Sequence, residues 1–375
     1  MSMKVRSSLK LACLPALIAA GFSTAATADL TVEPRGRLHL DGGFYDEDVS
    51  AFGDGINVRR GRLGLEGTLD DTWSFVIEYD WAEGGDASPA DVKLTRKLAG
   101  GTLTLGHVRV PFSHNLLTSA NNITFMERSS PVTALSIDRM VGARYDFTTG
   151  DITSQSMLHG RTMDSGAVGG ADETYGAAQR LVFHPKINDM LVHVGGAVSY
   201  QNLGDFNDAR FRERMEIRID PDVRLIDTGA LADVKSLLRV GLEFAVQQGP
   251  FSAEAEYITA DTESNLGPDY SFNGYHVQAS YVLTGESRSY KGGGFGGIKP
   301  KSDAGAYEVA ARFSQTDLND QGIVGGEQQA ITLGLNYYAS ANVRFMSNIV
   351  LADIEGANGV DEKPKAIAFR LQYAF

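Results

Sequence analysis

Arginine is the residue type whose placement in this sequence most clearly predicts chemistry. Three arginines stand together in Arg59-Arg60-Gly61-Arg62, and a second run lies between Ala209 and Asp222. That run contains Arg210, Arg212, Arg214 and Arg218. In an extended segment, residues two apart lie on one side at intervals of roughly 7 Å. We therefore expect the guanidinium groups of the second run to form a row.

Such a row suits the transfer of anions from one site to the next. A guanidinium stays charged and presents a planar fork that matches phosphate or carboxylate oxygens. Several modest sites conduct better than one tight site, because each must release what it binds. Alternatively, the arginines of this run only pair with carboxylates on a solvated loop, namely Glu213, Glu216, Asp220 and Asp222.

Patterns typical of enzymes are missing from the sequence. It has seven scattered histidines, no HExxH or GxSxG motif, and no cluster at metal-ligand spacing. We expect no catalytic residues, no metal site and no cofactor. The acidic stretch Asp46-Glu47-Asp48 with Asp54 is expected to be a solvated outer loop, with a divalent-cation or lipopolysaccharide contact as the alternative.

Residues 1–28 have the pattern of an export signal. Lys4, Arg6 and Lys10 precede a short apolar run, and Ala26-Thr27-Ala28 follows it. This pattern predicts a secretory signal peptide cleaved after Ala28. A lipoprotein signal at Cys13 is the alternative, although almost no apolar run precedes that residue. Cys13 is the only cysteine, so residues 29–375 are expected to have neither disulfides nor thiol chemistry.

Charge and hydropathy narrow the classes further. The chain has 34 Lys+Arg and 47 Asp+Glu, and removal of the three basic residues of the signal leaves 31 against 47, a net charge of -16. A nucleic-acid partner is therefore not expected. After the signal no run of ~18 apolar residues occurs. If the protein lies in a membrane, it must do so as a closed barrel.

Strict alternation indicates transmembrane strands. In WSFVIEYDW, from Trp73 to Trp81, one face carries only aromatic and aliphatic residues, while the other includes Ser74, Glu78 and Asp80. Nine residues match a tilted membrane strand, and terminal tryptophans suit the two bilayer interfaces. Repeats of this pattern predict an all-β, sixteen-stranded antiparallel transmembrane barrel, with strands near 35-45, 56-69, 72-82, 90-97, 101-109, 139-148, 151-161, 177-185, 189-200, 236-247, 251-260, 272-284, 305-316, 328-339, 341-353 and 365-375.

The connections between these strands mostly alternate short and long. Short turns belong on the periplasmic side and long loops outside. Residues 110–138 are too apolar for an exposed loop, so we expect this third external loop to fold into the barrel and narrow it. Its Leu116, Leu117, Ile123, Phe125 and Met126 would pack on the inner wall, with Arg128 facing the passage. Residues 201–235 form the predicted Arg-rich external loop, and the basic 285–304 segment falls where a short turn is expected.

The chain resembles the phosphate-selective porin O and P family over nearly the whole of residues 29–375. Five motifs carry the resemblance in the family's order: VRRGRLGLEG at 58–67, GHVRVPFSHNLLTSANNITFMERSSP at 106–131, ARFRERMEIRIDPDVRLIDTG at 209–229, LTGESRSYKGGGFGGIKP at 283–300 followed by GAYEVAARFS at 305–314, and the final RLQYAF. The resemblance implies a homotrimer of barrels in a Gram-negative outer membrane, in contact with lipid and lipopolysaccharide. It also implies one anion pore per barrel and a genuine periplasmic excursion at 285–304.

The resemblance also assigns residues. Arg59 and Arg60 match the family's paired arginines at the constriction, and Asp91 falls near an acidic position that faces them. The arginines of 209–218 look like its external ladder. Asn121 stands where phosphate-specific members have lysine, which weakens the case for phosphate itself.

These observations predict an outer-membrane porin for small anions, with phosphate or phosphate-bearing solutes as the leading candidates. The predicted pore-lining set is Arg59, Arg60, Arg62, Asp91, Arg109, Arg128, Arg210, Arg212, Arg214 and Arg218. The facing of Arg59 stays open, since either it lies above the lipid band or a bulge near Gly61 resets the register. A general porin with weak discrimination is the main alternative, ahead of a barrel enzyme or a purely structural barrel.

Overall fold

A computed structural model describes residues 30–82, 86–357 and 359–375. The predicted signal peptide, residues 1–28, lies outside the described residues. No helix within the described part of the chain is long and apolar enough to cross a membrane.

Sixteen long antiparallel strands, β1 to β16, make up almost all of the described chain. In order they are Thr31–Asp46, Gly55–Thr68, Trp73–Asp80, Ser88–Leu98, Gly101–Arg109, Arg139–Thr149, Ile152–His159, Tyr175–Phe183, Met190–Asn202, Val234–Gln248, Phe251–Ser264, Ser271–Val282, Ala306–Asp320, Ile323–Tyr338, Val343–Glu355 and Lys365–Ala374. Each strand pairs with the next, and β1 pairs with β16. The predicted closed sixteen-stranded barrel is confirmed.

The remaining elements are small. They are the helices α1 (His114–Leu117) and α2 (Ser130–Leu135), one 3-10 turn at Met163–Ser165, and two-residue strands at Lys186–Ile187, Arg212–Glu213, Ile226–Asp227, Tyr290–Lys291, Gly294–Phe295 and Asp361–Glu362. Both α-helices lie between β5 and β6, so the 110–138 segment is compact rather than extended.

The strand alternation places apolar side chains outside and polar ones inside. On β10, Leu242 and Phe244 are 59% and 48% exposed, whereas Glu243 between them is 4% exposed. A water-soluble protein would bury such leucines and phenylalanines. A barrel in lipid instead turns them outward and keeps its polar face on the lumen.

The ends of the barrel close where the first and last strands meet. The N–H of Gly36 donates to the carbonyl of Phe375 at 2.9 Å, and the N–H of Phe375 donates to the carbonyl of Gly36 at 3.1 Å. The terminal aromatic ring lies over this glycine, since a Cβ built at Gly36 would be 2.6 Å from a ring carbon of Phe375. Phe375 therefore contributes to the contact between β1 and β16.

The register of β1 on β2 explains how two adjacent arginines reach the same face. His39 pairs with Arg60, but the next residue, Leu40, pairs with Val58. Arg59 is thus the extra residue of a bulge, two positions from Gly61. Because a bulge removes the alternation locally, Arg59 and Arg60 both lie on the polar side of the strand, which resolves the facing of Arg59.

The 283–305 connection is long, whereas the other connections at its end of the barrel are short turns, as the sequence indicated. Its residues Tyr290–Lys291 pair with Gly294–Phe295 as a small hairpin. We call residues 288–297 the glycine hairpin. Its carbonyl at Gly293 accepts from Arg180 on the polar face of β8 at 2.8 Å, so it contacts the lumen face of the wall rather than projecting away from it.

The tight approach of β1 to β2 gives a test of barrel formation. A Cβ at Gly67 would lie 1.9 Å from the carbonyl oxygen of Thr31, a backbone atom that cannot yield. We expect Gly67→Ala to reduce the folded fraction in detergent, measured by heat-modifiable gel mobility, because overpacking costs about 1–3 kcal/mol. Gly169→Ala is the control, since a Cβ at Gly169 meets nothing within 4 Å. Equal folding of the two variants would contradict this account of strand packing.

Candidate functional site

A basic cavity of about 340 Å³ lies where the lumen faces of β1 to β7 meet the 110–138 segment and the glycine hairpin. Its charged lining consists of Arg35, Arg37, Arg62, Asp91, Lys93, Arg109, Arg139, Arg144 and Lys291. Eight cations thus face one carboxylate. We call this space the basic cavity.

One carboxylate behind the lining holds three of these arginines in place. Glu78, only 1% exposed, accepts from Arg35 at 3.0 Å and from Arg37 at 3.1 Å, and lies 3.4 Å from the guanidinium of Arg62. Arg35 also pairs with Glu66, and Arg62 with Asp80 at 2.8 Å. The acids stand behind the arginines, so the guanidinium groups face the space.

The far side of the basic cavity is arranged around its single lining carboxylate. Asp91 accepts from Lys93 at 2.8 Å and from Arg139 at 2.7 Å. Asp91 therefore contacts neither Arg59 nor Arg60 by any hydrogen bond in the described chain, contrary to the predicted facing. It orders two other cations instead.

Above the basic cavity, Arg59 and Arg60 have different partners. Arg59 makes a two-pronged pair with Glu127, at 2.8 and 3.0 Å. Arg60 is 6% exposed, and its Nε and Nη1 have no hydrogen-bond partner among the described residues. A buried guanidinium with unmet donors is costly unless an anion or water meets them. Arg60 is therefore the strongest candidate for a direct anion contact.

Glu127 shows how strongly this corner favours negative charge. Burial alone opposes ionisation of its carboxyl group, but Arg59 and Arg370 outweigh burial and hold the pKa of Glu127 well below its usual range. Arg370 Nη2 donates to the same carboxylate at 2.8 Å. Arg59 and Arg370 therefore stabilise an anion here, and that anion is the carboxylate of Glu127.

Asn121 takes a neutral role beside this corner. Its Oδ1 lies 3.2 Å from Nε2 of His39, and its backbone carbonyl accepts from Gln372 at 3.0 Å. The Asn121 side chain therefore contributes no charge beside Arg59 and Arg60.

Backbone carbonyls of the 110–138 segment are held by arginines of the wall and of the glycine hairpin. Arg344 donates to the carbonyls of Ile123 and Thr124 at 2.8 and 2.9 Å. The other donors are Arg370 to Met126, Arg312 to Glu127, Arg288 to Asn122 and Arg239 to Leu135. These arginines satisfy buried carbonyls that would otherwise be costly to bury, so they act as anchors rather than as pore-lining charges.

Glycines of the wall receive the ring side chains of the same segment. A Cβ at Gly241 would lie 3.2 Å from the Phe112 ring, and one at Gly334 would lie 3.0 Å from the Phe125 ring. Leu116, Ile123 and Met126 are also buried, whereas Leu117 is half-buried. The expected apolar packing is thus present for four of the five residues that the sequence singled out.

Two predicted site residues are engaged by the 110–138 segment itself. Arg128 donates to the carbonyls of Asn115 at 3.0 Å and Thr118 at 2.6 Å and is 8% exposed, so the expectation that it faces the passage is wrong. Arg109 lines the basic cavity but also donates to the Leu116 carbonyl at 2.6 Å. The segment's own apolar turns leave these carbonyls without helix partners, which is why arginines occupy them.

The expected arginine row is present in only part of the second run. Arg210 and Arg212 are exposed, and Arg210 pairs with Asp227 at 2.7 Å. Arg214 is buried at 7% exposure and donates to the carbonyl of Pro221, so it leaves the row. The cause is local, because the chain bends after Arg212–Glu213 and turns back at Glu216, whose φ is +63°.

Glu216, just after the bend, is bound by the wall. Its carboxylate accepts from Arg312 at 3.0 Å, from Ser314 at 2.7 Å and from Thr332 at 2.9 Å. It also accepts from the backbone N–H of Ser130, at the start of α2. The alternative in which the arginines of the run pair with Glu213, Glu216, Asp220 and Asp222 is therefore wrong for Glu216, which binds the barrel instead.

Comparison with known proteins now decides the family. The family model described as "Phosphate-selective porin O and P" matches residues 32–375. The chain belongs to this family. It is therefore a channel-forming outer-membrane porin rather than an enzyme.

Relatives and solved structures agree with that assignment. Porin O of Pseudomonas aeruginosa is 27% identical over 387 residues, covering 91% of this chain and 87% of its own, and an uncharacterized protein of Caulobacter vibrioides is 28% identical over 355 residues, covering 88% and 70%. The fold is similar to OmpT of Vibrio cholerae in a trimer form, with TM-score 0.59, 13% identity and coverage of 92% and 99%. It is also similar to an anion-selective porin from Comamonas acidovorans, with TM-score 0.57, 14% identity and coverage of 92% and 100%.

Several residues of this porin's site were missed by the sequence reasoning. The missed lining residues are Arg35, Arg37, Lys93, Arg139, Arg144 and Lys291. All but Lys291 lie on strands, and basic residues on the polar face of an alternating strand were the signal available. Lys291 lies in the 285–304 segment, whose basic character was noted without its contact with the lumen.

Anchoring of the 110–138 segment gives a stability prediction for this porin. Arg370 pairs with Asp41 through two 2.6 Å contacts while holding Glu127 and the Met126 carbonyl. Arg370→Met leaves Asp41 and the Met126 carbonyl buried without this partner, so we expect the free energy of unfolding in urea to fall by about 3–5 kcal/mol. The control is Lys363→Met, which removes an exposed pair with Asp353 and should leave the unfolding curve unchanged. A similar unfolding midpoint for both variants would reject the anchoring role.

Proposed function

We propose that this porin is a passive diffusion channel for small anions, with phosphate and phosphate-bearing solutes as the leading candidates. Arg60 carries the proposal. It is a buried guanidinium whose Nε and Nη1 lack partners among the described residues, and Arg62, two residues along the same strand, lines the basic cavity. An anion at Arg60 would meet donors that the fold itself leaves unmet.

The remaining arginines define a route past Arg60. Arg210 and Arg212 are exposed on the 203–233 connection and would meet anions first, with Arg214 and Arg218 further along the same run. Arg59 and Arg60 follow, and the basic cavity with Arg62, Arg109 and Asp91 comes last. Arg59, Arg62 and Arg109 are already paired with carboxylates, so each would bind an ion weakly enough to release it.

The 110–138 segment is the constriction in this proposal. It would be the third external loop folded into the lumen, since its carbonyls accept from side chains on the polar faces of β13 to β16 and its rings pack on wall glycines. Its Thr118, Ser119 and Ala120 border the basic cavity. Arg128 stiffens the segment from within, and the arginines of the wall would conduct the anions.

A net acidic chain does not oppose an anion channel. Charges beyond a Debye length of ~8 Å are largely screened, so the lining decides the local field. Among the lining residues eight cations face one carboxylate, although five further acids contact them from behind, namely Glu66, Glu78, Asp80, Asp138 and Asp146. The resulting surplus is modest, which favours a selective but rapidly exchanging site.

The remaining parts of the proposal concern export and assembly. Residues 1–28 would be the cleaved signal peptide and residues 29–375 the mature barrel in the outer membrane, in contact with lipid and lipopolysaccharide. A homotrimer fits the trimer form of Vibrio cholerae OmpT, a protein of similar fold. No cofactor and no nucleic acid are required by this function.

A general porin with weak discrimination is the second candidate. It is favoured by the extensive pairing of the lining cations and by the neutral Asn121 beside His39. Block of chloride current by millimolar phosphate separates the two candidates. A phosphate-accepting channel shows a current that falls with phosphate concentration, whereas a general porin shows only the change in bulk conductivity.

The role of Arg60 can be tested by neutralising it. A unit charge ~6 Å from a permeating ion is worth on the order of 1–3 kcal/mol at an effective dielectric constant between 80 and 20. We therefore expect Arg60→Gln to lower the anion-to-cation permeability ratio roughly tenfold, measured from reversal potentials in a salt gradient, and Arg60→Glu to lower it further. Arg96→Gln removes the same charge from an exposed residue over Trp73 and should have no effect. Cation preference of the unmodified channel would reject the proposal outright.

Asp91 offers a change of opposite sign. Its carboxylate neutralises part of the charge of Lys93 and Arg139 at the edge of the basic cavity. Asp91→Asn keeps the shape and removes that charge, so we expect a higher anion-to-cation permeability ratio and stronger phosphate block, by roughly threefold to tenfold. Asp353→Asn, at an exposed pair with Lys363, is the matched control. A lower ratio in Asp91→Asn would show that Asp91 holds the cavity's shape rather than limiting its charge.

A further inference from the structure

A buried group of histidines and glutamates lies where the glycine hairpin meets the 110–138 segment. It consists of His114 of α1, His193 of β9, His276 of β12, Glu243 of β10, and Glu254 and Glu256 of β11. Each of the six is 5% exposed or less. The anion route described above uses none of them.

His114 contacts the glycine hairpin through one ring nitrogen and lies close to a carboxylate of the wall through the other. Its Nε2 accepts from the backbone N–H of Phe295 in the glycine hairpin at 3.2 Å. Its Nδ1 lies 3.0 Å from Oε2 of Glu254. Because a backbone N–H can only donate, Nε2 must carry a lone pair, and the proton of the neutral ring is on Nδ1 facing the carboxylate.

This tautomer is unfavourable for a metal bound at Nδ1 of His114 in the same cluster. One ligand atom each from His114, Glu254 and Glu256 lie within 4.8 Å of one another. A metal at Nδ1 would need the lone pair there and the proton on Nε2, where the Phe295 N–H already points. The cluster is therefore a set of proton-bearing groups, with Asn115 donating to Glu256 at 2.7 Å and to Glu254 at 2.7 Å.

The groups facing His114 come from every element packed against it. Glu254 and Glu256 lie on one side, and the His193 ring lies 4.9 Å away edge-on. Further out, Glu254 contacts His276 at 3.5 Å, and Glu243 binds both Arg180 at 2.6 Å and His193 at 3.2 Å. His114 therefore lies among carboxylates, and Arg180 is bound to the outermost of them, Glu243.

The hydrogen bond between His193 and Tyr290 of the hairpin tolerates protonation of the His193 ring. Nδ1 of His193 lies 2.7 Å from the hydroxyl of Tyr290, which can donate to a neutral ring or turn to accept from a charged one. Burial raises the pKa of Tyr290, so this hydroxyl keeps its proton. The Phe295 N–H has no such freedom, since a proton on Nε2 of His114 would set two donors against each other.

The hairpin also forms one side of the basic cavity. Lys291 and residues 292–295 line it opposite Arg109 and Arg139. Any movement of the Phe295 end therefore changes the space through which anions pass.

We propose that His114 is an acid-sensitive latch: its neutral ring holds the Phe295 end of the glycine hairpin in the lumen, and its protonation releases that end and widens the basic cavity. Histidine is the side chain whose charge ordinarily changes between pH 5 and 8. The latch rests on the proposed channel in one respect only, that ions pass through the basic cavity. It does not require that the channel prefer anions.

Single-channel conductance of the full-length trimer in symmetric KCl, stepped from about pH 8 to about pH 5.5, tests the latch. The unmodified channel is expected to switch to a higher conductance level at the acid end. In His114→Gln, the amide mimics the neutral ring, with an oxygen to accept from Phe295 and an N–H for Glu254. The channel should therefore stay at the low conductance level at both pH values. In Phe295→Pro the donor is removed, so the high level should appear at both pH values.

Two controls keep the result interpretable. His159→Gln removes another buried histidine, one that bonds the Gly160 carbonyl at 3.0 Å, and should retain the switch. Heat-modifiable mobility confirms that each variant is folded. A switch that persists in His114→Gln, or that disappears in His159→Gln, overturns the latch.

Phe295→Pro distinguishes release of the glycine hairpin from a direct effect of the added positive charge. If protonation acted only by adding positive charge near the pore, Phe295→Pro would keep its acid response, and that outcome also overturns the latch. Reversal potentials recorded on the same channels at about pH 8 report anion preference independently. Loss of anion preference with an intact switch rejects the proposed function alone, whereas anion preference without a switch rejects the latch alone.

Discussion

The hydrogen bond between a guanidinium and a backbone carbonyl is the interaction on which this barrel interior depends. Residues 121–127 have no helix or strand of their own, so their buried backbone polar groups must be satisfied by side chains from other parts of the chain. Residues 121–127 meet this need through Arg288, Arg312, Arg344 and Arg370, helped by Asn336 and Gln372. A charge-assisted bond contributes about 1.5–3 kcal/mol, and several in succession fix the path of a chain that has little secondary structure.

This anchoring divides the arginines into two populations by strand. Arg312, Arg344 and Arg370, on β13, β15 and β16, bind carbonyls or carboxylates of the connections between strands. The arginines that line the basic cavity from β1, β2 and β6 are Arg35, Arg37, Arg62, Arg139 and Arg144. The positive lining is therefore confined to one side of the lumen. An excess of acidic residues over the whole chain and a basic passage coexist because the two are separated in space.

The sequence was informative where a residue's environment follows from strand periodicity. Sixteen alternating segments predicted the barrel and its strand count, and the apolar character of residues 110–138 predicted their burial. Arg62 was found because the lipid-facing Leu63 and Leu65 place it on the lumen face, whereas Arg109 was named only as the arginine that ends the fifth strand. Arg35, Arg37 and Arg144 obey the same rule and were overlooked only because no motif drew attention to them.

The sequence was uninformative where partners come from distant parts of the chain. Arg128 has the charge of a pore residue, yet three carbonyls of its own segment occupy it, and periodicity contains no signal for that. Glu216 looks like a loop carboxylate but is bound by Arg312, 96 residues away. The bend that removes Arg214 from its row depends on where Glu216 is held. These contacts depend on which distant residues the closed barrel brings together, and the local sequence pattern does not contain that information.

The bulge at Arg59 has a consequence for how such a channel can change over generations. In a regular strand only every second residue faces the lumen, so no substitution can place two consecutive cations there. The extra residue lifts that limit at one point, where Arg59 and Arg60 stand side by side against His39. Deleting a single codon would restore the regular ladder and turn one of the pair toward lipid. The paired charge of Arg59 and Arg60 therefore depends on one added residue in the strand.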